Sequence, residues 1–242
     1  MYLKVDFGER GDVAVWVDID LKGLPLDSVA RRWRHEIYFE APLDVQGEGV
    51  VIAERGMFAY WKQGRALCIF HGFSQPYAPV VKMGFVVGSP DVLYAVEDGT
   101  PVRISEHVDY GREGEIANAL RSRGLKAASH SWEGEERVGV LVEGAEARLG
   151  VEVFVEDEGF YAETQTLAFF DQSPSTLAFY RMLKRELAPT GIRPDVNDEG
   201  FIVLTCCPSS IEELARDLKR LLSAYIYAEK TMETFYAVRR PA

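Results

Sequence analysis

Polar and apolar residues alternate from Val13 to Leu21. Val13, Val15, Val17, Ile19 and Leu21 stand against Ala14, Trp16, Asp18 and Asp20, the period of two that marks a strand with one buried face. Before it, residues 2–7 place Leu3, Val5 and Phe7 on one face, and Gly8-Glu9-Arg10-Gly11 supplies the turn of a hairpin. Gly23-Leu24-Pro25 breaks the pattern, and residues 27–33 are short enough for one or two helical turns. Residues 36–39 and 50–54 read as further strands. Residues 57–61 and 65–71 form two more, joined at Lys62-Gln63-Gly64. In the second of these, Ala66, Cys68 and Phe70 share one face and Leu67, Ile69 and His71 the other, so the strand is expected to be buried on both sides. The small Ala66 and Cys68 suit the narrow inside of a closed barrel. A loop from Gly72 with Pro76 and Pro79 leads to a strand over 83–88. Residues 90–96 fit either helix or loop, and 101–108 close the first half as a strand.

The texture changes after Val108. Asp109-Tyr110-Gly111-Arg112 reads as a linker, and a helix over 113–123 ends at Gly124, a residue suited to a left-handed cap. Strand-like runs follow at 139–143, 149–156 and 160–169. Ser173-Pro174 is an N-cap and first-turn pair that opens a helix to Leu187. Residues 193–196 and 201–206 can pair across Asn197-Asp198-Glu199-Gly200. Ser210 with Glu213 has the spacing of a capping box, and Ile211, Leu214, Leu218, Leu221, Leu222, Tyr225 and Met232 keep a helical stripe over 210–236. The expected fold class is therefore mixed β and α+β. A closed β-barrel over 1–108 precedes an α+β domain over 112–242 with the order helix, three strands, helix, two strands, helix.

Two segments carry a family resemblance. Trp33, Glu36, Ile37, Tyr38 and Phe39 form one; Gly56, Tyr60, Trp61, Gly64, Arg65, Ala66, Leu67, Cys68, Phe70 and Gly72 form the other. In order and spacing they resemble the small cyclophilin-like family of uncharacterised bacterial and archaeal proteins, over about residues 1–108. The resemblance implies a compact β-barrel like that of the prolyl isomerases and no established activity. The Ser/Thr-Pro that follows the last glycine in the family is replaced here by Phe73-Ser74-Gln75-Pro76. The element order and acidity of the second half resemble the type III secretion chaperones, small protein-binding dimers, and imply a possible homodimer through that domain.

The net charge of −11 argues against nucleic acid and anionic membrane surfaces as partners, since both are met with Lys and Arg. No secretory leader or membrane-spanning run is read from the chain, and a cytoplasmic location is expected. Asn (2) and Gln (5) are scarce and Arg (19) outnumbers Lys (8), which fits a thermophilic source. A GC-rich genome would also favour Arg. Three cysteines show no metal spacing or disulfide framework, and the adjacent Cys206-Cys207 would make a strained ring. No metal and no cofactor are expected.

The candidate ligand-binding residues are Tyr38, Tyr60, Trp61, Arg65 and His71. Aromatic side chains line many grooves, though the same rings also fill barrel cores. Arg65 and His71 share a strand face, so a guanidinium and an imidazole are expected to converge on one ligand. Prolyl isomerisation asks for an apolar slot and a guanidinium near the amide nitrogen, which lowers a barrier of about 20 kcal/mol. The Phe-His-Arg and Gln-Gly-Gly-Asp segments of true cyclophilins are absent from the chain. The expected function is accordingly a non-catalytic peptide- or ligand-binding or adaptor protein, with a peptidyl-prolyl isomerase-like enzyme as the alternative.

Overall fold

Alternation along the first half is realised as one antiparallel sheet. The computed structural model describes residues 1–236 of the 242, so the end of the second expected domain, 237–242, lies outside the described residues. The strands are β1 (Tyr2–Asp6), β2 (Asp12–Val17), β3 (Leu26–Val29), β4 (Arg31–Trp33), β5 (Glu36–Glu40), β6 (Gly49–Val50), β7 (Met57–Trp61), β8 (Ala66–Phe70), β9 (Val80–Val87) and β10 (Pro101–Glu106). They run in the order β3-β10-β1-β2-β9-β7-β8-β5-β4, with β6 beside β9. One face gathers Leu3, Val5, Val13, Val15, Ile37, Phe39, Phe58, Leu67, Ile69 and Ile104 into a core. The other buries Ala14, Met57, Ala59, Cys68, Phe70 and Phe85. Opposite β7, β9 carries one extra residue at Met83, and the register shifts between Phe58 and Ala59. Val81 and Met83 therefore share the first core with Val86 rather than with Phe85.

Several expectations are corrected here. The sheet is not closed into a barrel: β3 and β4 are the two ends of the ladder. The residue between them, Ala30, bonds to Thr100 and Gly99 and so continues the pairing with the β10 side. The small Ala66 and Cys68 do not face the enclosed core. Leu67 and Ile69 do, because the larger side chains fill the enclosed core, while Cys68 packs with Met57, Ala59 and Phe85 on the other face. Residues 27–33 form β3 and β4 instead of helical turns, since pairing with β10 and β5 gives their backbone groups partners. The strand expected over 50–54 ends at Val50, beyond which Val51 and Ile52 stand exposed. Residues 90–95 form a 3-10 turn capped by Ser89.

The second sheet holds β11 (Lys126–Trp132), β12 (Glu135–Glu143), β13 (Arg148–Glu156), β14 (Gly159–Thr164), β15 (Ala168–Phe169), β16 (Arg193–Val196) and β17 (Phe201–Cys206). Its order is β11-β12-β13-β14-β17-β15, with β16 on β17. The helices α1 (Gly111–Arg121), α2 (Pro174–Leu187) and α3 (Ile211–Tyr236) close its core against Val138, Val140, Val142, Leu149, Val151 and Val153. β11 is additional to the expected order. Its KAASHSW sequence has no strong β-formers before Trp132, and it is a strand because it is paired with β12 and buried on both sides.

The opposite face of β11–β13 packs on the first sheet, and Ala128 and Leu141 share one core cluster with Ala14, Phe85 and Val87. Glycines permit the approach. A Cβ on Gly139 would lie 2.2 Å from the Val87 carbonyl oxygen, and one on Gly150 2.1 Å from that of Gly88. Between the sheets lies a buried ion pair. His130 Nε2 is 2.8 Å from Glu152 Oε2, and His130 Nδ1 lies 3.1 Å from the Asp12 carbonyl. Ser89 N donates to Glu152 Oε1 at 2.6 Å. Burial alone would lower the His130 pKa; the Glu152 carboxylate overcomes this and raises it above the ordinary value. No helix among the described residues is long and apolar enough to cross a membrane.

Candidate functional site

β8 runs out of the enclosed core at His71, which has the same facing as Leu67 and Ile69. Its backbone N–H donates to the His35 carbonyl at 3.0 Å, so the β4–β5 turn meets the start of the loop after β8. Arg34 takes a left-handed φ of 56° in that turn. Gly72 is needed beside it, because a Cβ there would lie 2.7 Å from His35 Nδ1. The loop is pinned by His35 N donating to Ser74 Oγ at 2.7 Å and by Phe73 N donating to His35 Nδ1 at 3.3 Å.

The 3-10 turn at 90–95 brings Tyr94 over this corner. Its ring centroid is 4.5 Å from that of His71 at 84°, and 5.5 Å from that of His35. Arg32 holds the turn through Nη1, which donates to the Tyr94 carbonyl at 2.9 Å and the Val96 carbonyl at 3.2 Å. Arg55 pairs with Asp91 and donates to the Thr166 carbonyl at 2.8 Å and to Thr166 Oγ1 at 2.9 Å. Asp91 Oδ2 in turn accepts from Thr166 N at 2.7 Å, and Tyr225 O–H donates to the Thr166 carbonyl. This corner is thereby bound to the second sheet and α3.

His71 is wholly buried, and neither ring nitrogen has a hydrogen-bond partner; Arg55 Nε is also buried without one. Burial, and then the charges of Arg32, His35 and Arg55, pull the His71 pKa down to about 3. The imidazole is neutral at physiological pH, with one N–H and one lone pair to offer. The loops that follow β6 and β8 expose large apolar side chains: Ile52 (73% exposed), Phe73 (83%) and Tyr77 (86%). Two bonds tie their loops together, Ala53 N donating to Gln75 Oε1 at 2.9 Å and Gln75 Nε2 to the Ala53 carbonyl at 3.4 Å.

The five residues singled out from sequence fall in separate places. Tyr60 is in the enclosed core, its hydroxyl donating to the carbonyls of Ala41 (3.1 Å) and Leu43 (2.7 Å). Tyr38 and Trp61 meet edge to face on the other side of the sheet, centroids 6.3 Å apart. Arg65 is exposed in the turn before β8, with φ 49°. His71 lies beyond the far end of that strand; six residues at ~3.3 Å each separate the two by about 20 Å along a shared face. The residues that do surround His71 are His35, Arg32, Arg55 and Tyr94. Trp33, the first residue of the family-like segment, lies between Arg32 and His35 and was the available signal for those two. Arg55 and Tyr94 sit in irregular stretches with no periodicity to mark them.

A groove of about 700 Å³ lined by Phe7, Glu9, Arg10, Thr100, Pro101 and Glu133 shares none of these residues. Its charged pair, Arg10 and Glu133, is already joined at 2.9 Å, and nothing buried and unpartnered points into it. Among the described residues there is no group of three or more His, Cys, Asp or Glu that could hold a metal ion.

No curated protein matches the chain. Among solved structures, the solution structure of a hypothetical protein from Archaeoglobus fulgidus is 28% identical, covers 44% of this chain and 94% of its own, and has a TM-score of 0.37. Residues 4–105 match the model of the family described as cyclophilin-like, and it is to that family that the first sheet of this chain is similar.

Proposed function

We propose that the protein is a non-catalytic binding protein of the cytoplasm that holds a peptide or small ligand at the His71 corner of its first sheet. The observation that carries this reading is the exposed set Ile52, Phe73 and Tyr77 on two mutually bonded loops. The loop that carries Phe73 and Tyr77 begins at His71, a buried imidazole with no hydrogen-bond partner. An apolar rim around a few convergent polar groups is how ligand sites are commonly built. An isomerase would need a free guanidinium at the prolyl nitrogen. Arg65 stands at the other end of β8, Arg55 is neutralised by Asp91, and the Arg32 guanidinium is taken up by the carbonyls of Arg34, Tyr94 and Val96.

NMR on a short Xaa-Pro peptide tests this. Saturable shifts at Phe73, Tyr77 and Tyr94 with unchanged cis/trans exchange are expected. Accelerated exchange would replace the binding reading with an isomerase. Shifts confined to Tyr38, Trp61 and Arg65 would move the site to the outer face.

The chain is proposed to consist of two units, 1–108 and 112–242. Limited proteolysis should cut within 106–112 and leave two fragments. These should stay associated through Ala14, Phe85, Val87, Ala128 and Leu141. A single resistant body with no cut there would overturn the division. The Leu stripe of α3 is consumed within its own core, so a homodimer would have to use other faces. Light scattering over a range of concentrations reads that directly.

A further inference from the structure

The charges acting on His71 are all of one sign. Arg32, His35 and Arg55 act on it from β4, from the β4–β5 turn and from the segment before β7, and no carboxylate acts on it in return. Asp91 is engaged with Arg55 and Thr166 N, and Asp98 with Arg31 and the backbone of Arg32. The Arg32 guanidinium has only carbonyl partners among the described residues. Counting Arg32 and Arg55 against Asp91 leaves one positive charge, beside three buried nitrogens without partners: both of His71 and Arg55 Nε. A buried polar group without a partner carries a desolvation cost that a ligand atom can relieve.

Resting on the binding reading above, we propose that this corner is a carboxylate subsite. It takes a monocarboxylate with an apolar body, the carboxylate meeting Arg32, His71 and Arg55 Nε and the body lying on Ile52, Phe73 and Tyr77. The chemistry fits the donors: guanidinium and imidazole N–H groups give charge-assisted bonds to a carboxylate. It also fits Ile52, Phe73 and Tyr77, which offer exposed apolar side chains. Tyr94 closes over His71 and is itself 41% exposed, so its ring is the group that swings aside on entry. Either a free apolar acid or the C-terminal carboxylate of a peptide presents this chemistry.

The test compares phenylacetate with phenylacetamide on the full-length protein by NMR, following the His71 and Tyr94 ring signals. Phenylacetate should bind at least tenfold more tightly. It should also raise the His71 pKa from about 3, because a nearby opposite charge favours the imidazolium. Equal affinity of acid and amide at these rings overturns the carboxylate subsite and leaves the binding reading standing. Binding of neither compound, with no shifts from the Xaa-Pro peptide, overturns both. An unmoved His71 pKa with shifts elsewhere shows that the imidazole simply packs its edge on Tyr94, and overturns the proposal. Ala-Ala-Phe with a free and an amidated C-terminus separates the two sources: a preference for the free peptide as large as that for phenylacetate assigns a chain end, and its absence assigns a small acid. Arg32→Gln should erase the preference for the acid; should it fail to fold, the wild-type acid and amide comparison decides alone.

Discussion

Ending the chain after Pro208 should leave the second sheet molten, with near-ultraviolet circular dichroism lost from the C-terminal half and dye-binding apolar surface gained. α3 places Leu214, Leu218, Leu221, Leu222, Tyr225 and Ala228 in the core formed by Val140, Val142, Leu149 and Val151. Burying four leucine side chains stabilises by about 6–12 kcal/mol at ~1.5–3 kcal/mol each. That is comparable with the whole stability of an ordinary domain, about 5–15 kcal/mol. The loss should reach the candidate site, because Tyr225 O–H donates to the Thr166 carbonyl that Arg55 also holds. A truncated protein that stays soluble and unfolds cooperatively in urea would overturn this account of α3.

Glu152→Ala should be the most destabilising of the single substitutions considered, by about 3–5 kcal/mol in urea unfolding, the usual cost of removing one partner from a buried pair. It strands His130, which is 1% exposed, and leaves Ser89 N without its acceptor. The pH dependence should change as well. In the wild type the His130 pKa is raised above 6.5, so the folded state binds the proton more tightly than the unfolded. The contribution of the pair is full below 6.5 and is lost as pH rises through the folded pKa. Without Glu152, burial, the first cause acting on this ring, is unopposed by its strongest partner. The folded pKa should then fall below 6.5, and stability should be lost as pH falls instead. His71 already behaves in this second way: its pKa of about 3 makes it oppose folding progressively as pH drops from 6.5. Chemical-denaturation midpoints of both proteins from pH 4 to 9 read the reversal. Parallel profiles would show that Glu152 does not hold the His130 proton.

Elements with strong local signals were legible in the chain. The helix from Pro174 and the β16–β17 hairpin fall where the cap at Ser173 and the turn at Asn197 put them. Glu213 N donates to Ser210 Oγ, as the capping box requires, while the Glu213 carboxylate accepts from Ser209 rather than Ser210. β11 was not legible. Its Ala, Ser and His residues have no β preference, and pairing with β12 and burial between layers make it a strand. The candidate site was legible only at His71.

Local chemistry by itself determined the alternating strands, the capped helices and the cyclophilin-like segment between residues 4 and 105. Each of those rests on neighbours in sequence, whose spacing fixes a face or satisfies a terminal N–H. The tertiary structure alone decided that the first sheet stays open at β3 and β4, and that β8 turns its large side chains inward. It also placed Arg65 and His71 at opposite ends of one strand and gathered Arg32, His35, Arg55 and Tyr94 around the imidazole. Those outcomes depend on contacts between residues far apart in the chain. Periodicity records which way a side chain points, and only packing records what it meets.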